Sequence, residues 1–171
     1  MSIIAMLKAA SPSFNAAYAQ IAATKPGTNA ERIVRARGVH AQISWISDSS
    51  DVSEDRLEVL LSPASQKKCD LSFRVTVDAF GFEEETILVG SSDPSTIDRI
   101  IDLSGFRMDG ATPERFLAHV LPFDVSSLPV LVQPLMWREV KAWDLTTGDY
   151  YVVEFDLLKK ARSEADMAKA A

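Results

Sequence analysis

One cysteine, Cys69, stands in the whole chain, so no internal disulfide can form and no thiolate cluster exists to hold a structural zinc or an iron–sulfur centre. Histidine, whose proton comes and goes near neutral pH and which therefore serves most acid–base catalysts, occurs only as His40 and His119. Neither stands beside an obvious nucleophile in sequence, and no H-E-x-x-H spacing signals a zinc hydrolase. Glycine is also sparse. Gly81, Gly90, Gly105 and Gly110 are separated by bulky or acidic sequence and build neither a Walker loop nor a dinucleotide-binding loop. No stretch approaches the roughly 20 apolar residues of a membrane span, and Met1–Leu7 is too short for the apolar core of a signal peptide. These absences lead us to expect no cofactor, no metal and no membrane insertion. The expected location is the cytoplasm, or a macromolecular particle that incorporates the chain.

What is present describes a folded protein. With 171 residues, 47% hydrophobic and 25% charged, the chain has the length and composition of one globular domain spanning 1–171. The net charge of -6 is unevenly placed. Residues 1–40 hold Lys8, Lys25, Arg32, Arg35 and Arg37 against Glu31 alone, a surplus of four positive charges that leaves -10 to the remainder. Such polarity suits an acidic partner or a second copy of the chain.

Hydrophobic periodicity divides the chain into elements. Phe14, Ala17, Tyr18 and Ile21 recur at helical spacing over Ser13–Ala23. Asn29 reads as the cap of a second short helix, Ala30–Arg37, with Glu31 and Arg35 as an i,i+4 pair and Gly38 as its stop. The segment 1–37 is thus expected to be basic and helical. From Val39 the period changes to two, predicting strands near 39–46, 56–62, 71–78 and 84–89, joined by turns too short for crossover helices and therefore antiparallel. Asp93-Pro94 and Thr112-Pro113 open two helices, through Leu103 and to Val120. The stretch Phe123–Leu135, broken by Pro129 and Pro134, reads as an irregular connection. Strands near 136–143 and 150–155 form a last hairpin around Thr147-Gly148-Asp149, and 156–171 reads as a C-terminal helix. The expected fold is α+β: a predominantly antiparallel sheet of about six strands with helices packed mainly on one face.

Several groups invite a chemical reading, and each has a plainer one. Asp93-Pro-Ser-Thr could present helix N-terminal amides to an anion, but Asp93 competes for them as a cap. The carboxylates Asp48, Asp51, Glu54 and Asp55 do not match the spacing of a calcium-binding loop and read as a solvated face, as does Glu83-Glu-Glu85. Cys69 beside Lys67 and Lys68 lacks a neighbouring histidine to activate it. The strip Arg32, Arg35, Arg37 on a helix suits nucleic-acid phosphates only weakly.

The run Leu71-Ser-Phe-Arg-Val-Thr-Val-Asp-Ala-Phe-Gly-Phe-Glu-Glu-Glu-Thr-Ile-Leu-Val89 resembles the central strand pair of SecB-type export chaperones. That resemblance implies binding of unfolded chains and tetrameric assembly. It covers about a tenth of the sequence, with Pro129 where that family carries a long helix, and the chain is not assigned to the family.

The function expected from the sequence is therefore non-enzymatic: protein binding or assembly, through a protein partner or self-association, as a structural or accessory component of a larger complex. The alternatives are a chaperone for unfolded or secreted polypeptides, a small hydrolase or transferase with a cleft gathering His119 with Asp102, Asp109 or Asp124, and a nucleic-acid-associated assembly factor. The expected interface is the final hairpin with Trp137, Trp143, Tyr150 and Tyr151, joined by Arg32 and Arg35. Trp137 and Trp143, six residues apart, would share a strand face with Glu139 and Lys141 between them.

Overall fold

A computed structural model describes residues 2–24, 30–36, 38–46, 55–63, 70–103, 113–129, 132 and 137–155. The fold is α+β: a seven-stranded, mostly antiparallel sheet with four helices packed against it, the strands lying in the order β1 to β7. The elements are α1 (Ile3–Ala10), α2 (Pro12–Ala22), β1 (Glu31–Ala36), β2 (Val39–Ile46), β3 (Arg56–Pro63), β4 (Asp70–Val77), β5 (Glu83–Ser91), α3 (Pro94–Leu103), α4 (Pro113–Val120), β6 (Glu139–Asp144) and β7 (Tyr150–Glu154). The chain groups into two compact units. The first contains Met1–Gln66, Leu71–Glu85 and Leu128–Val132, and the second Lys67–Asp70, Thr86–Ser127 and Gln133–Ala171.

In the first unit β1, β2, β3 and β4 pair as antiparallel neighbours. Strict alternation sorts their side chains. Val39, Ala41 and Ile43 of β2, Leu57, Val59 and Leu61 of β3, and Leu71, Phe73 and Val75 of β4 are all buried. Helices α1 and α2 supply the facing apolar side chains, chiefly Leu7, Phe14, Ala17 and Ile21. Each helix starts on a serine. The Ser2 hydroxyl accepts from the Ala5 N–H at 3.0 Å, and the Ser11 hydroxyl accepts from the Phe14 N–H at 3.2 Å, with Pro12 in the first turn. The far end of α2 is tied to β2, where the Trp45 indole N–H donates to the Ile21 carbonyl and the Thr24 hydroxyl, both at 3.1 Å.

Here one sequence expectation is corrected. Residues 31–36 form strand β1 instead of the helix expected over Ala30–Arg37, so helix within 1–37 is confined to α1 and α2 among the described residues, and the sheet gains a seventh strand. Gly38, read as a helix stop, has φ 85° and turns β1 into β2, with Ala36 opposite Val39 and Arg35 opposite His40. A left-handed glycine serves either role, and the β-branched pair Ile33-Val34 joins a preformed sheet at little cost. One Glu–Arg pair at helical spacing contributes only about 0.2–0.5 kcal/mol in a helix and does not outweigh that ladder.

In the second unit β5 and β6 run parallel, connected through α3 and α4, and β6 pairs antiparallel with β7. The parallel pair follows from the intervening helices, which let the chain cross over before it returns. Asp93 caps α3 as expected, its carboxylate accepting from the Ser95 N–H at 3.1 Å and the Ser95 hydroxyl at 2.9 Å. Ile100, Phe116, Leu117, Val140, Ala142 and Val153 are buried, and the Phe116 and Phe155 rings meet edge to face at 6.1 Å. The expected C-terminal helix over 156–171 lies outside the described residues. Among the described residues no helix is long and apolar enough to cross a membrane.

Candidate binding surfaces

Among the described residues the most exposed large apolar side chains are Phe80 and Phe82, at 87% and 73% of full exposure. They sit in the turn from β4 to β5. The Asp78 carboxylate oxygen Oδ1 accepts from the Phe80 N–H at 2.8 Å and from the Phe82 N–H at 2.9 Å. The Asp78 N–H donates to the Phe82 carbonyl and the Gly81 N–H to the Asp78 carbonyl, both at 3.1 Å, while Gly81 takes φ 84°. Four hydrogen bonds and a left-handed glycine thus brace a turn that holds two phenyl rings in water. Acidic side chains flank it: Asp78 on one side, Glu83 and Glu84 on the other, with Glu84 paired to Arg56 at 2.8 Å. Of the phenylalanines in 71–89, Phe73 falls within the strand expected near 71–78, while Phe80 and Phe82 fall between it and the strand expected near 84–89. The signal that separates them is the Asp-x-x-Gly turn itself, which puts Phe80 and Phe82 at a tip while Phe73, inside β4, is fully buried.

A second surface lies on the face of β1, β2 and β3 opposite the buried one. Ile33, Gln42 and Leu60 stand directly across from one another on the three strands, as do His40 and Ser62 on β2 and β3. With Pro63 these side chains line an open pocket of about 280 Å³, and Ile33 is 61% exposed. Arg35, exposed, is opposite His40, and Arg74 is opposite Leu60. On the same face Glu58 is half-buried, and that burial raises its pKa above 4.5 although Arg74 pulls the other way.

The final hairpin departs from expectation at one residue. Strand β6 begins at Glu139, so Trp137 precedes it and is buried at 1% exposure instead of sharing a face with Trp143. From Glu139 onward the expected alternation holds: Val140 and Ala142 are buried, while Glu139, Lys141 and Trp143 are half-buried. Trp143 faces Tyr150 across the strands with ring centroids 5.5 Å apart, and Tyr150 is 52% exposed while Tyr151 is half-buried. Glu139 accepts from the Thr86 hydroxyl at 3.0 Å and pairs with Lys141 at 3.5 Å.

Arg32 and Arg35 do not act together. Three residues apart on a helix they would share a side, but in β1 they point to opposite faces, Arg32 donating to the Gln20 side chain at 3.1 Å. The basic strip that favoured nucleic acid therefore does not form over these two, and Arg37 lies outside the described residues. His119 is exposed in the last turn of α4, and Asp102 is exposed on α3. Asp124 accepts from the Ser126 N–H at 2.9 Å, which holds its carboxyl below the usual range. Asp109, Cys69, Lys67, Lys68, Asp48, Asp51 and Glu54 lie outside the described residues, and among the described ones no group of three or more His, Cys, Asp and Glu side chains is placed to hold a metal ion. Compared with protein-family models, with curated proteins and with solved structures, the chain matches none.

Proposed function

We propose that this chain is a protein-binding or assembly protein whose contact point is the Phe80–Phe82 turn. The observation that carries the reading is the bracing of that turn. Two phenyl rings held almost fully in water lose hydrophobic stabilisation of about 1.5–3 kcal/mol each relative to burial. Because their backbone is already fixed by the Asp78 hydrogen bonds, docking them costs little further entropy. Rings of this kind, on a preorganised support, are the usual anchors of protein interfaces. The acidic flank of Asp78 and Glu84 favours a protein pocket with a basic rim over an anionic lipid surface.

A photoreactive phenylalanine placed at position 80 tests this reading in the cells that make the protein. Discrete protein adducts are expected that do not form from the same label at exposed Glu114 on α4. Adducts no different from that control, or vesicle binding abolished by F80S with F82S, would overturn the proposal.

A further inference from the structure

We draw no further inference here: the strongest candidate, the open pocket on the outward face of β1, β2 and β3 lined by Ile33, His40, Gln42, Leu60, Ser62 and Pro63, has Arg35 and Arg74 offset by Glu31 and Glu58 on the same face, and nothing in the structure shows what covers it.

Discussion

Two turns among the described residues pair an aspartate brace with a left-handed glycine, and they differ in what they display. In the first unit Asp78 accepts from two backbone N–H groups and Gly81 sits at φ 84°. In the second, Asp144 accepts from the Thr146 and Thr147 N–H groups at 2.8 and 3.3 Å, and Gly148 sits at φ 78°. The second turn has one more residue between aspartate and glycine and exposes Leu145, Thr146 and Thr147, where the first exposes Phe80 and Phe82. Turn chemistry accounts for the aspartates and glycines in both, because each supplies an acceptor or a left-handed backbone. It does not account for the phenylalanines. The threonine turn shows that this geometry needs no aromatic ring, which leaves the rings of the first turn to be explained by something outside the turn.

The comparison breaks if those rings are packing material. The scale is set by a buried ring from each unit: Phe73→Ala and Trp137→Ala should each cost about 3–5 kcal/mol in urea unfolding, since both side chains are almost wholly enclosed. Grafting the threonines, F80T with F82T, should change stability by less than about 0.5 kcal/mol. A loss near the core values would mean that the phenyl rings hold the fold together.

Backbone chemistry should instead treat the two turns alike. A Cβ at Gly81 or at Gly148 meets nothing within 4 Å, so alanine at either position pays only for the left-handed backbone. Gly81→Ala and Gly148→Ala should each cost about 1–2 kcal/mol, and a clear inequality in denaturation midpoints would show that the turns are not equivalent.

The smallest effect distinguishes the units by pH. Glu58, in the first unit, has its pKa raised by burial, so the folded state binds its proton more tightly and stability falls as pH rises from 4.5 through the folded value. Glu58→Gln should therefore raise the thermal midpoint at pH 7, with the gain shrinking below pH 4.5. Asp93, in the second unit, has its pKa lowered by the Ser95 hydroxyl and N–H, so its contribution is present above 3.8 and fades as pH falls through the folded value. Asp93→Ala should lower the midpoint at pH 7 and matter little in strong acid. Thermal scans of both variants from pH 3 to 7 should show shifts of opposite sign.

Much of this was legible in the sequence. Alternation marked β2, β3, β4 and β5 within a residue or two, because a strand with one buried face repeats every second residue whatever it packs against. Asp93-Pro94 and Pro113 marked two helix starts, because caps are satisfied by neighbours three residues away. Three features lay beyond that local reading. Ala30–Arg37 carries helical spacing and β-branched residues together, and only the neighbouring strand β2 decides between them. The exposure of Trp137 depended on whether β6 began at 136 or 139, a difference that alternation alone does not resolve. The pocket of Ile33, Leu60 and His40 draws on three strands, and Phe80 and Phe82 become conspicuous only when their exposure is known. The sequence by itself determined where elements start and which faces are apolar, since those follow from local hydrogen bonds and residue period. Tertiary structure alone decided which ambiguous segment became a strand and which apolar side chains stayed in water, since both depend on partners distant in the chain.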